Sequence, residues 1–475
     1  MRGSDSIVTD AARAEVQALA EHYADRHHVP ALAWGVVLDG GVAWSGAASC
    51  DESPPPSTAT VFRIASMTKP FTAATVLALR DDSVLSLDDP LPELVAGATT
   101  DSPPVTLRHL LSMQSGLPSD DPWADRHLDI ADADLDALLA AGPRFACPPG
   151  TAFEYSNLGY GVIGRVVERI TGERLQDLTE RLVLAPLGLE RTAWRQPEHE
   201  DWARPHRIED GRAVADDAPI GDGALAPMGG LWSTVDDLAS VVSWFDDAFP
   251  PRDGADDGPL RRASRREQQQ VQRATPVGHS TAHGDGLEHV PERVDGGGYG
   301  FGLQVVHDQR FGHLVGHSGG LPGYGSNMRW LPGRRVGAIA LANSTYAPMR
   351  LLTRRMVEIL DDHGLVPAAA TDVAPVLHDA AARLVSLLNA WNEVDADDLF
   401  ADNVAPDESF DRRSRAAADL LAAHGPIQLQ RVEAGLATAA TAFATAADGH
   451  EVTVSLRLSP GPDPRIQDYS ITSAD

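Results

Sequence analysis

Ser66-Met67-Thr68-Lys69 contains the only lysine among 475 residues, and every other positive side chain is an arginine. Arginine equals lysine as a cation and usually exceeds it as a hydrogen-bond donor. Its guanidinium keeps its proton at any working pH, so it cannot act as a base. An amine retained where arginine serves everywhere else points to chemistry that needs a group able to lose its proton. Chance is the alternative, because serine is common enough to precede a lone lysine at this spacing now and then. Positions i and i+3 share a helix face, so the amine can reach the hydroxyl. Pro70 is tolerated in a first turn and breaks a helix interior, which puts Ser66 at a helix N-terminus. Free N–H groups and the helix dipole there favour a developing alkoxide or oxyanion.

Tyr155-Ser156-Asn157 follows the turn-forming Pro148-Pro149-Gly150-Thr151 and precedes a helical pattern. A phenol and an amide two residues apart at a loop–helix junction can point into one cleft. The phenol can relay a proton where a nearby cation lowers its pKa, and the amide can hold a substrate carbonyl. A helix cap with a packed tyrosine is the other reading. His317-Ser318-Gly319 ends a strand pattern and runs on through Gly320 into the Leu321-Pro322-Gly323 turn. Glycines there leave a strand edge open to a substrate backbone, and a free N–H can complete an oxyanion hole. Alone, a histidine in a strand is more often structural than catalytic.

In this order the three segments resemble the SxxK, YxN and K/HxG motifs of the serine beta-lactamase and penicillin-binding-protein superfamily. Leu110-Leu111-Ser112-Met113-Gln114-Ser115-Gly116-Leu117-Pro118 looks like the LLxHTSGLP segment of the class C beta-lactamase and DD-peptidase branch. Gly229-Gly230-Leu231-Trp232-Ser233-Thr234-Val235-Asp236-Asp237-Leu238-Ala239 looks like its GGLxSTxxDLA segment. The likeness spans about residues 10–350. It implies Ser66 as an acylated nucleophile, Lys69 as its base or the holder of that base, and Tyr155 as proton relay to the leaving group. It implies further that Asn157 positions substrate beside the 317–320 strand, with the N–H groups of Ser66 and Gly320 as oxyanion hole and Gly319 lining the substrate edge. Two departures stand out. His317 replaces the lysine of class C lactamases and, mostly neutral near pH 7, would hold a substrate carboxylate less firmly. The HxG form accompanies DD-carboxypeptidases, D-aminopeptidases and esterases, so ester or amide hydrolysis is expected ahead of beta-lactam hydrolysis. Met113 stands where the family segment has histidine. The competing expectation is a non-catalytic ligand- or penicillin-binding regulatory protein on the same fold.

The elements that must carry these groups follow from periodicity. Residues 10–28 read as a helix, and 31–37 and 41–47 as two strands joined at Asp39-Gly40-Gly41. Helical patterns cover 71–80, 132–141, 157–171 and 234–246. Strand patterns return at 301–307, 311–317, 325–331 and 336–342. Strands early and late predict one sheet whose halves are distant in sequence, with a helical block inserted between them. The fold class expected is thus α/β (α+β): an antiparallel sheet flanked by helices, as the resemblance implies. Residues 250–298, rich in Gly, Asp, Arg and Gln, read as a surface insertion or connector with a short polar helix near 264–272. The cleft walls are expected from 112–130, the surroundings of Trp232 and that insertion. After an Ala/Pro-rich break the pattern changes to helices at 374–392 and 412–423 and strands at 428–434, 439–445, 451–458 and 465–472. The expected domains are therefore a hydrolase domain over 1–365 and a small α+β accessory domain over 366–475, which looks NTF2-like.

Composition narrows the partners. A net charge of −29 argues against nucleic acid and anionic membranes. The N-terminus is too polar for a signal peptide, so a cytoplasmic, soluble enzyme acting on a small ester, amide or peptide is expected. Cys50 and Cys147 read as reduced thiols. No cofactor is expected. His279, His283 and His289, with Asp285 and Glu288 nearby, are spaced for a metal only if a helix carries them. The surrounding glycines oppose one, so no metal site is expected.

Overall fold

Short apolar strands, buried on both faces, set up a layered first unit. The computed structural model describes residues 3–50, 55–91, 102–199, 201–216, 221–256, 258–275, 278–280, 293–368 and 373–473. It divides into two units, Met1–Ala368 and Ala369–Asp475. The first opens with helix α1 (Gly3–His27) and the hairpin β1 (Leu32–Leu38) and β2 (Gly41–Ala48). Helix α2 (Lys69–Asp81), α3 (Asn157–Thr171) and α4 (Val235–Asp246) belong to the intervening stretch. The chain returns through β3 (Arg293–Tyr299), β4 (Gln304–Asp308), β5 (Gly312–Leu321), β6 (Tyr324–Leu331) and β7 (Val336–Ala342), and then α5 (Met349–Asp362).

The strands form one antiparallel sheet in the order β2-β1-β7-β6-β5-β4-β3, extended at the far edge by short pairings of Arg273–Ala274 and Gly278–Ser280 with β3. β1 pairs with β7 from Leu32↔Ala342 to Leu38↔Val336, which joins the early and late halves as expected. Successive side chains of a strand point to opposite faces, and β1 uses both. Leu32, Trp34 and Val36 pack with α1 and α5, while Ala33 and Val37 join the core shared with α4 and the helical block. The central strands β6 and β7 are therefore buried along their whole length.

The 250–298 segment differs from its expected form. A helix at Arg262–Gln268 docks on the rest of the unit, with Gln268 and Gln269 both 0% exposed. Gln268 Nε2 donates to the Pro70 carbonyl at 2.9 Å, and Trp330 Nε1 donates to Gln269 Oε1 at 2.8 Å. Its C-terminal part is strand β3. The short helix was expected, but a Gly-rich, polar composition hides its burial and strand β3, because the glycines of β3 fit between neighbouring strands and the buried glutamine amides find donors and acceptors only in the folded unit. His283, His289, Asp285 and Glu288 lie outside the described residues. Cys50 and Cys147 are not joined by a disulfide. Among the described residues no helix is long and apolar enough to cross a membrane.

The second unit has helices Pro375–Asn389, Glu393–Leu399 and Phe410–His424, then a four-stranded antiparallel meander, Ile427–Leu436, Ala439–Ala446, Glu451–Leu458 and Ile466–Ser473. Period-2 burial along Ala439–Ala446 faces Leu377, Ala381 and Leu384 of the first helix, giving this unit its own core.

Candidate active site

Ser66 sits in a 3-10 turn, Ala65–Thr68, that feeds directly into α2. Ala65 has φ +51°, a left-handed conformation that a non-glycine residue holds only when its surroundings enforce it. They do so from two sides. Ile64 N–H donates to the Leu231 carbonyl at 3.0 Å, and Leu231 N–H donates to Thr68 Oγ1 at 3.1 Å. From β6, Ser326 Oγ donates to the Ile64 carbonyl at 2.7 Å. The Gly229–Ala239 segment is thus the cradle of the Ser66 turn.

Lys69 is completely buried. Its Nζ donates to Ser66 Oγ at 2.9 Å, to Asn157 Oδ1 at 2.7 Å and to the Met228 carbonyl at 2.8 Å. It also lies 4.8 Å from the ring centre of Tyr155 and 5.3 Å from that of Tyr160. Burial disfavours the ammonium and pulls its pKa down to about 8, against the opposing pull of Asp121, Asp125 and Asp120. At pH 7 roughly a tenth of the amine is then neutral. Asn157 is the first residue of α3, whose Ser156 cap accepts from Gly159 N–H at 3.3 Å. The Asp120 carboxylate accepts from the N–H of Asn157 at 2.7 Å and of Leu158 at 2.8 Å, an anion on the positive end of the helix.

Tyr155 contacts the Ser66 hydroxyl, but burial drives its phenol pKa well above the ordinary tyrosine value. The phenol is therefore neutral and placed as a proton donor to that hydroxyl's surroundings. Met113 explains how the tyrosine is held. Its Sδ accepts from Ser156 N–H at 3.4 Å and its carbonyl from Glu154 N–H at 2.9 Å, so the thioether takes the place of a polar anchor for the 154–157 turn.

β5 forms the opposite wall. His317 is 1% exposed, and both ring nitrogens are engaged. Nδ1 lies 2.6 Å from the Ser318 carbonyl, which can only accept, so Nδ1 carries the ring proton. Nε2 then accepts from Tyr299 Oη at 2.8 Å. Burial and, next, the Lys69 charge push the His317 pKa down to about 3. The imidazole is a neutral, internally satisfied wall rather than a free hand for a carboxylate. Gly319 runs so close to the Ser66 turn that a Cβ would stand 2.2 Å from the Ile64 carbonyl oxygen and 2.2 Å from Ser326 Oγ. A Cβ on Gly320 would stand 2.7 Å from the Tyr346 ring.

These groups open on a cleft of about 480 Å³ lined by Ser66, Tyr155 and residues 317–320, with Asp121, Asp125, Gln304, Ser326 and residues 346–351 completing it. Lys69 and Asn157 lie just behind its wall. Of the walls expected, 112–130 contributes Asp121 and Asp125. Trp232 does not line the cleft: it is 2% exposed and packs edge-on against Trp202 and Tyr324. Among the described residues 250–298 supplies no lining either. Asp120, Asp121, Asp125, Tyr299 and Tyr346 escaped the reading of the sequence. The signal available was three aspartates within six residues directly after Gly116-Leu117-Pro118. Asp125 is buried, accepts from Tyr346 Oη at 2.8 Å and has its pKa raised to about 7, chiefly by burial.

The sequence profile of the family described as Beta-lactamase matches residues 16–361. Penicillin-binding protein 4* of Bacillus subtilis is 27% identical over 306 residues, 61% of this chain and 62% of that protein. The chain thus spans less than two thirds of that relative's length. Esterase EstB of Burkholderia gladioli is 30% identical over 333 residues, 61% of this chain and 79% of that one. Among solved structures, the octameric penicillin-binding protein homologue from Pyrococcus abyssi superposes with a TM-score of 0.63 at 19% identity, covering 96% of this chain and 99% of that one. At that identity the likeness is one of fold.

Proposed function

The chain belongs to the beta-lactamase family, and on that premise we propose that it is a serine hydrolase opening an ester or amide through an acyl-enzyme on Ser66. The observation that carries this is Lys69: a buried amine with a lowered pKa, 2.9 Å from the Ser66 hydroxyl. Neutral Lys69 takes the Ser66 proton as Oγ bonds to the substrate carbonyl carbon. The oxyanion lies between the N–H groups of Ser66 and Gly320. Tyr155 gives its proton to the departing alcohol or amine as the acyl bond breaks, and recovers one from the Lys69 ammonium. Water then releases the acid and returns the proton to Ser66 Oγ. Asn157 keeps Lys69 aimed at the serine.

Substrate preference follows from β5. Its histidine is neutral and paired, so the strand offers no ammonium for a carboxylate-anchored beta-lactam. Small esters and amides, D-amino-acid amides and peptides included, suit it better. The Leu110–Pro118 and Gly229–Ala239 segments support placing the chain in the class C and DD-peptidase branch, and the helix-then-meander order of residues 366–475 supports an accessory NTF2-like domain. A panel of p-nitrophenyl esters, D-amino-acid amides, D-Ala-D-Ala peptides and a chromogenic cephalosporin tests the preference. Ser66→Ala should abolish turnover of every substrate hydrolysed and all fluorophosphonate labelling; full activity in that variant overturns the reading. Stoichiometric capture of penicillin without turnover of any substrate would establish a binding protein instead.

A further inference from the structure

Resting on the Ser66 reading, we infer that Asp121 is a positioning residue for acylation, fixing the orientation of the Asn157 amide and through it the Lys69 amine. The oxygen and nitrogen of an asparagine amide are nearly isosteric, so its surroundings decide which faces where. Asn157 Nδ2 donates to Asp121 Oδ1 at 2.6 Å, and Asn157 Oδ1 accepts from Lys69 Nζ at 2.7 Å. A carboxylate only accepts and an ammonium only donates. The two ends therefore select one amide orientation; the flipped amide would set donor against donor beside Lys69. The same hydrogen bond engages the Asn157 donor, so this amide serves the lysine rather than a substrate carbonyl.

Asp121 has a second effect. Its negative charge favours the Lys69 ammonium and opposes the desolvation that lowers the amine's pKa. The other titratable groups facing Lys69 are Asp120 and Asp125 from the same segment, Tyr155 and Tyr160 from α3 and the turn before it, and His317 from β5. Asp121 alone among the three aspartates is also bonded to the Asn157 side chain. Orientation and charge can thus be separated by substitution.

Asp121→Asn keeps an acceptor for Asn157 Nδ2 and removes the charge; Asp121→Ala removes both. Measured as pH profiles of kcat and kcat/KM on a p-nitrophenyl ester, Asp121→Asn should retain kcat within about threefold, while Asp121→Ala loses about tenfold in kcat with a smaller change in KM. In both variants the acid limb should move to lower pH, because losing the negative charge lets Lys69 deprotonate earlier. An unmoved acid limb, or wild-type kcat in Asp121→Ala, overturns the inference. The isosteric Asp121→Asn keeps the test readable should Asp121→Ala unfold. Fluorophosphonate titration of wild type and Ser66→Ala separates the two levels. Labelling that persists in Ser66→Ala overturns the nucleophile and this inference together. Labelling confined to Ser66 with unmoved profiles overturns this inference alone.

Discussion

Lys69 has the properties that arginine lacks: it can be buried, paired and still give up its proton near physiological pH. Lys69→Arg keeps the charge and removes the basicity, so turnover should fall by roughly a thousandfold or more while Ser66 remains in place. Steady-state kinetics with a chromogenic ester checks this. In the wild type kcat/KM should rise with pH through about 8, where the amine deprotonates. Asp125 behaves in the opposite sense. Its folded pKa lies near 7, above the ordinary value of 3.8, so between those values the native state binds more protons than the unfolded chain. Stability contributed by this group is therefore lost as pH rises from about 4 to 7. Asp125→Asn should be about 1–3 kcal/mol more stable than wild type at pH 8 and no more stable at pH 4, as read by urea unfolding.

At the scale of elements the site is a junction of three: the turn entering α2, the start of α3, and β5. Gly319 sets the distance between the first and the third. Gly319→Ala should push β5 off the Ile64–Ser326 contact and lower kcat/KM by at least about tenfold, with a rise in KM for bulky acyl groups; kinetics on an ester series beside a melting curve reads this. Much of the junction was legible in the sequence. Ser66, Lys69, Tyr155, Asn157 and His317 are uncommon combinations at telling spacings, and Pro70 marks the entry to a helix. The aspartates were not, because in a chain with 68 acidic residues a polar run after a turn looks like solvated loop. Only the tertiary fold shows that Asp125 is buried and that Asp121 meets an asparagine 36 positions away. Tyr299 escaped for a related reason. It ends strand β3, whose three consecutive glycines, 296–298, read as linker until their neighbours are known.

Over the whole molecule the sheet was foreseeable because its strands are short apolar runs bounded by Gly and Pro turns, whereas its far edge and the docking of the Arg262–Gln268 helix depended on buried glutamines that no periodicity announces. The net charge of −29 has its own consequence. Self-repulsion among carboxylates weakens the folded state and is screened over roughly 10 Å at 0.1 M salt. Raising sodium chloride from about 0.02 to 0.3 M should therefore raise the melting temperature by a few degrees, measurable by calorimetry.

The pairing of β1 with β7 also governs when this protein can come into being. Ala31 N–H donates to Asn343 Oδ1 at 2.7 Å across 312 positions of chain, and closing so long a loop precedes any reward from the contacts it enables. On a ribosome adding about 5–20 residues per second, the apolar β1 waits roughly 15–60 s for its partner. Until β5, β6 and β7 have emerged, the serine turn has no wall opposite it. Nascent chains arrested before residue 342 should carry an exposed strand that holdases bind, and should be inert towards fluorophosphonate; the chemistry proposed for Ser66 waits on the last strand of this sheet to arrive.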